Sequence, residues 1–294
     1  MTMVGSAAHS IADRIKRSKN LRVLALLSPS AAWLLIFFIL PLVMVLLVSL
    51  GKRGPMGGVV YQWNLDNYLR FLDPIYVKIF FRSVRIATAN TFLCLLFGYP
   101  LAYFIAKRPK RWRNVLILLV MIPFWTNFLV RTYAWMVILR DTGLINSLLL
   151  QIGFITKPLS LLYNENAVIL GLFYGYLPFM VLPLYASIEK LDFSLVEAAQ
   201  DLGANSLNAF RRIVLPLTMP GIIAGSIITF IPSIGAYVTP DLLGGAKAMM
   251  IGNLLQQQFL EVRDWPFGSA VGFILMATVL LATMLYFRTG SRTL

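Results

Sequence analysis

Long apolar runs alternate along this chain with shorter polar intervals, many of them basic. Six of the runs are predicted to be membrane-spanning helices, over about 24–50, 86–106, 115–139, 167–188, 213–238 and 267–287, since about 20 apolar residues suffice to cross a bilayer core. Five of these carry no charged residue, and the third carries only Arg131. Prolines recur inside the runs, among them Pro100, Pro123, Pro178, Pro183, Pro216 and Pro232. Membrane helices tolerate such breaks where neighbouring groups satisfy the freed carbonyls. They read either as ordinary kinks or as bent helices lining a pathway. The expected architecture is an all-α membrane protein: a segment over 1–23, one transmembrane domain over 24–288 and a tail over 289–294.

Composition supports this pattern. Hydrophobic residues make up 59% of the 294 and charged residues 13%, about half the charged share of a soluble domain. The net charge of +14 is explained by topology rather than by nucleic acid, because the basic residues flank the apolar runs. With a cytoplasmic N-terminus, the inner segments carry 15 Lys and Arg in 62 residues and the outer ones 10 in 90. The densest cluster is Lys107, Arg108, Lys110, Arg111 and Arg113. That bias satisfies the positive-inside rule and assigns both termini and the 189–212 loop to the cytoplasm. The first run, at 27 residues, exceeds the roughly 7–15 of a signal peptide and is expected to remain as a span.

Candidate chemistry is sparse. One cysteine, Cys94, and one histidine, His9, argue against a disulfide, a His/Cys metal site or a membrane enzyme. The spans hold no Asp or Glu, which argues against an ion-coupled secondary transporter. No G-x-x-x-x-G-K-[ST] phosphate loop occurs; the fragment "GGAKAMM" has neither its spacing nor its hydroxyl residue. Of the outer segments, 51–85 is rich in aromatics and carries an Asp-Pro turn signal. The other, 239–266, is apolar enough for a short helix on or dipping into the membrane.

The 189–212 loop is longer and more structured than a connection requires. Ser194-Leu195-Val196-Glu197 has the form of a capping box. It predicts a helix over about 195–202 with Val196, Ala199 and Leu202 on one face. Gly203 is expected to stop that helix in a positive-φ conformation, and a second short helix starts near Ser206. Ala198 and Ala199 would let a partner approach the backbone closely. On pattern alone the element is either a surface for a cytoplasmic partner or an amphipathic helix resting on lipid.

The spacing E-A-A-x3-G-x9-I-x-L-P is met at Glu197, Ala198, Ala199, Gly203, Ile213, Leu215 and Pro216. It resembles the EAA loop of permease subunits in binding-protein-dependent ABC importers. In that family the loop is a coupling helix seated in a cleft of the ATP-hydrolysing subunit; Asp201 lies in the same stretch. Further segments, including "GYPLAYFIA", "PFWTNFLVRTYAW", "PLTMPGIIAGS" and "DLLGGAKAMMIGN", are similar to the spermidine/putrescine permease group, in its PotB/PotH-like branch. The resemblance implies a type I ABC importer permease fold in a bacterial inner membrane, without enzymatic activity and without a bound cofactor. It also implies three kinds of protein partner: a dimeric ATPase subunit holding ATP and Mg, a second related permease and a periplasmic substrate-binding protein. The implied substrate is a polyamine; an amino-acid-like, opine-like or organophosphorus solute is the alternative.

Residues that touch substrate are sought among intramembrane polar groups, which are costly to bury in lipid. Arg131 reads either as a pathway or gate residue or as an arginine snorkelling toward headgroups. Trp125, Asn127 and Tyr133 would line the same region, or anchor it at the interface. Asp241 with Tyr237 would suit a cationic guest through charge and cation–π attraction; the alternative for Asp241 is a cap or loop residue.

Overall fold

The computed structural model describes residues 23, 26–55 and 57–290, with side-chain environments to residue 284. Apart from residue 23, the expected N-terminal segment lies outside the described residues, as does the end of the tail. The described chain is almost wholly helical. Helix α1 covers Leu26–Ser49 and includes a wider π-turn at Leu35–Ile39. A two-stranded antiparallel hairpin follows, pairing Lys52 with Val60 and Arg53 with Val59, a small departure from the all-α expectation. Helix α2 covers Asp66–Phe71 and α3 covers Pro74–Ala106.

Helix α3 has 33 residues and starts twelve residues before the apolar run it contains. Its start is dictated locally: the Asp73 carboxylate accepts from the Ile75 N–H and Pro74 occupies the first helical position, where no N–H is needed. At 1.5 Å per residue it is about 50 Å long, so its charged first turns extend beyond a bilayer core. Arg82 and Arg85 on those turns pair with Glu165.

The expected third span is broken. Helix α4 covers Lys110–Trp125, and the chain then turns through 84° into α5, Phe128–Leu139, and α6, Leu144–Gln151. Thr126 is extended, and the Asn127 amide oxygen accepts from the N–H groups of Leu129 and Val130, capping α5. Helix α7 covers Glu165–Ile188. The fifth span is broken as well: α9, Ser206–Leu217, meets α10, Met219–Ile234, at 65°. Between α7 and α9 lies α8, Ser194–Asp201. Helix α11, Ile251–Gln256, precedes α12, Trp265–Gly290. Among the described residues four helices (α1, α3, α7 and α12) are long and apolar enough to cross a membrane, or up to six spans if each bent pair counts as one.

Helices α3, α7 and α10 form the central packing unit. Cys94, Ala102 and Ile105 of α3 meet Met180, Val181 and Leu184 of α7 and Ile222 of α10. Small residues let the backbones close: a Cβ on Gly221 would lie 2.5 Å from Ser187 Cβ and 2.7 Å from the Pro183 carbonyl oxygen. This is the usual solution for membrane helices, whose association depends on close van der Waals contact. A second cluster joins Phe71, Ile79, Ile234, Ile251, Leu254 and Phe267, so α11 is buried within the chain. Arg70 ties α2 to the start of α12, pairing with the buried Asp264 at 2.7 Å and lying 4.1 Å over the Phe267 ring. By contrast, none of the most apolar stretch of α1 is buried by this chain.

Candidate functional site

The 189–212 loop is built from two capped helices and a glycine between them. The expected capping box does not form. Ser194 is the first helical residue rather than the cap, and its N–H donates to Asp192 Oδ1 at 3.0 Å. The Ser194 hydroxyl and backbone N–H together hold the Asp192 carboxyl below its usual range. An aspartate two residues upstream supplies a better-placed acceptor than the serine, and the helix begins one residue earlier than expected.

At the other end of α8, the Ala204 N–H donates to the Ala199 carbonyl and the Gly203 N–H to the Gln200 carbonyl, both at 2.9 Å. This is the Schellman pattern, which requires a left-handed residue, and Gly203 supplies it with φ +88°. Asn205 then caps α9, its side chain accepting from the Asn208 N–H at 2.8 Å. Helix α9 opens into a wide π-turn over Phe210–Val214, just ahead of Pro216, which has no N–H to give.

No residue of α8 is buried. Val196 and Ala199 are half-buried toward the chain, while Glu197, Ala198 and Asp201 are exposed. Leu202 departs from the expectation: it is 90% exposed and does not share the inward face of Val196 and Ala199. Leu195 and Ala198 of α8 are exposed, as are Leu202 and Leu207 beyond its end. Ile213 and Leu215 are half-buried and Pro216 is exposed. An open groove of about 660 Å³ runs beside the root of α8, lined by Ser187, Lys190, Asp192, Leu195, Leu217 and Gly221 among others.

The second set of candidates lies around the break between α4 and α5. The Arg131 guanidinium donates to the Pro123 carbonyl at 2.9 Å, beside a 2.7 Å bond from the Thr126 hydroxyl. It therefore stabilises the end of α4. Phe128 and Tyr174 rings lie 5.8 and 5.9 Å from it. Asn127 uses its oxygen as a cap, and Trp125 and Tyr133 are exposed.

Tyr237 and Asp241 share one turn, with the Asp241 N–H donating to the Tyr237 carbonyl at 3.0 Å. That carbonyl also accepts from the Asn253 amide, and both side chains are exposed. Helix α5 packs against the 240–244 turn, which brings the two groups of candidates into one region. Tyr174 and Asn253 were not singled out from the sequence. Their partners lie 43 and 16 residues away, and no local pattern marks them.

Residues 98–292 match the family of binding-protein-dependent transport system inner membrane components. The chain is 46% identical over 258 residues to the spermidine/putrescine transport system permease protein PotB of Escherichia coli (strain K12), covering 88% of this chain and 94% of that protein. It is 43% identical over 259 residues to PotB of Haemophilus influenzae (strain ATCC 51907 / DSM 11121 / KW20 / Rd), covering 88% and 91%. Two solved structures of a bacterial alginate ABC transporter share the fold, both with a TM-score of 0.71. The first is 20% identical and covers 96% of this chain and 99% of its own. The second, in complex with an alginate pentasaccharide-bound periplasmic protein, is 21% identical and covers 95% and 96%. With its fold, its near full-length relatives and its matched region in agreement, the chain belongs to the family of binding-protein-dependent transport system inner membrane components.

Proposed function

We propose that this chain is a transmembrane permease subunit of an ATP-driven importer, forming half of a pathway for polyamines. The observation that carries the reading is the 46% identity to PotB over 88% of this chain and 94% of that protein, joined to an exposed helix at the residues that match the family's EAA loop. In this reading α1, α3, the bent pair α4–α5, α7, the bent pair α9–α10 and α12 make six crossings. Both termini and the 189–212 loop face the cytoplasm of a bacterial cell, and the hairpin and 239–266 face outward.

Helix α8 seats on a separate ATPase subunit, which binds ATP with Mg. Glu197, Ala198, Asp201 and Gly203 contribute to that joint, with Ile213, Leu215 and Pro216 at its exit. A second permease completes the pathway and a periplasmic binding protein delivers the solute. The two conformations of the pathway are each favoured by a different ligand, which is alternating access. The unburied face of α1 is covered by lipid or by the second permease.

Exposed Tyr237 and Asp241 are the groups here that suit a cationic solute. The guanidinium of Arg131 donates to the Pro123 carbonyl and lies near two rings, so besides its candidate place in the pathway it supports the shape of the bend.

The test is purification of the tagged chain from native membranes in mild detergent, followed by uptake of radiolabelled spermidine after reconstitution of what co-purifies. An ATPase subunit, a second permease and ATP-dependent spermidine uptake are expected. Recovery of this chain alone, transporting without ATP, would overturn the importer. ATP-dependent transport of another solute but not of spermidine or putrescine would overturn the polyamine assignment only.

A further inference from the structure

The two ends of the 189–212 loop are held by one helix face. Tyr99 and Tyr103 of α3 and Lys107 immediately after its last residue are spaced by four residues, which places them on a single stripe at its end. The Tyr103 ring meets the Phe193 ring edge-on at 6.1 Å, and Phe193 is the residue immediately before α8. Lys107 Nζ lies 4.7 Å from the Tyr103 ring centre and 5.6 Å from that of Phe193. On the exit side, the Tyr99 ring meets Phe210 of α9 at 5.5 Å and 89°. The Tyr99 hydroxyl shares a 2.8 Å hydrogen bond with Thr218, the residue at the bend between α9 and α10. The entry side has a further tie to α4: Arg113 pairs with Glu189 at 3.1 Å and also donates to the Arg108 carbonyl.

These contacts differ in kind from those of α8 itself. Helix α8 buries nothing, whereas its root at Phe193 and its exit at Phe210 pack on the buried cluster of α3, α7 and α10. A push on α8 therefore reaches the stripe at both ends of the loop, through Phe193 and Phe210, and reaches α4 through the Arg113–Glu189 pair. A packed interface moves as discrete blocks rather than yielding smoothly, so α3 and α4 must follow the root of α8.

We propose that Tyr99, Tyr103 and Lys107, with the Arg113–Glu189 pair, are the positioning residues that carry movement of the coupling helix into the spans. The inference rests on the permease reading above. None of these residues touches the outward face of α8, so their role is separable from docking of the ATPase.

The experiment uses the reconstituted complex and reads three quantities: the ATPase subunit retained per permease, ATP hydrolysed, and spermidine taken up per ATP. In the Tyr103→Leu/Lys107→Met double variant, retention and hydrolysis are expected to stay near wild type while uptake per ATP falls about tenfold, within the range seen for residues that carry coupling without touching ligand. Tyr103→Phe keeps the ring and Lys107→Arg keeps the cation, so both should couple as wild type. Glu189→Arg should lose coupling, and adding Arg113→Glu should restore part of it.

An unchanged uptake per ATP in the double variant overturns the proposal. So does a parallel fall in retention and uptake, which would make the stripe a purely structural contact; the Glu189→Arg/Arg113→Glu swap keeps the test open where the double variant does not assemble. Failure of the wild-type complex to import with ATP would overturn the permease reading instead.

Discussion

The junction of α3, α7 and α10 and the loop carrying α8 are built on opposite principles. At the junction, backbones approach until Gly221 has no room for a methyl group, and side chains such as Met180, Leu184 and Ile188 are fully buried. Helix α8 has no buried residue and owes its form to its two ends, an aspartate turn and a glycine stop. Packing holds the first region and capping the second. A rigid frame with an exposed handle is the arrangement a mechanical joint needs, because the handle must present itself to a partner while the frame keeps its shape.

The comparison breaks most severely at Gly221. Gly221→Val would set Cβ 2.5 Å from Ser187 Cβ and 2.7 Å from a backbone oxygen, neither of which can swing aside. We expect a loss of about 3 kcal/mol or more, at or above the upper end for overpacked cores. It should appear as a clear fall in the temperature at which the detergent-solubilised chain loses its monodisperse size-exclusion peak. Gly225→Ala meets the Met180 sulfur at 2.8 Å but its backbone oxygen only at 3.2 Å, and should lower that temperature less. A wild-type midpoint for Gly221→Val would show that the frame yields, contrary to the contrast drawn here.

A substitution in the handle should leave the frame untouched. A Cβ at Gly203 would meet nothing within 4 Å, so the main cost of Gly203→Val is the left-handed backbone, about 1–2 kcal/mol. The expected outcome is normal thermal stability and membrane abundance with most ATP-driven uptake lost, because the Schellman turn that sets α8 against α9 is gone. Gly203→Asn, which tolerates this conformation, should retain uptake. Equal activity of the two variants would detach the turn from function.

Much of this was legible in the sequence, and the exceptions have a common cause. Apolar run length located the helices, and Gly203 was marked by its place after a helical stretch, because both signals are local. The breaks at Thr126 and Thr218 were not legible in detail, since Pro123 and Pro216 only permit a bend. Its angle depends on what satisfies the freed groups, here Arg131 and Thr126 at the first break and the Thr218 hydroxyl, which donates to the Val214 carbonyl, at the second. The start of α3 was missed because hydropathy reports the bilayer rather than the helix, although Asp73-Pro74 carried the signal. Leu202 was placed on the wrong face because the helix ends at Asp201, and a three-residue interval cannot be carried past the last helical residue. The stripe of Tyr99, Tyr103 and Lys107 was invisible because its partners lie about 90–120 residues further along the chain.

The smallest expected effect separates two accounts of the same helix start. If Ser194 were the cap, Ser194→Ala would fray α8; with Asp192 as the acceptor, Ser194→Ala keeps the backbone bond at 3.0 Å. Hydrogen exchange of the 194–197 amides in the purified complex reads this directly. Asp192→Ala should speed that exchange by about fivefold, the usual scale for loss of a cap, while Ser194→Ala stays near wild type.

Acidity supplies an internal control. Hydrogen bonds from Ser194 lower the Asp192 pKa in the folded chain, so its contribution is complete above the unfolded value of about 3.9 and fades as pH falls through the lower folded value. Between roughly pH 5 and 8 the carboxylate stays ionised, and exchange at 194–197, after correction for the intrinsic rate, should not vary with pH. Asp192→Asn keeps an acceptor oxygen without the charge and should resemble wild type across that window. Protection that fails in Asp192→Asn as fully as in Asp192→Ala would mean that charge, rather than the hydrogen bond, starts the helix.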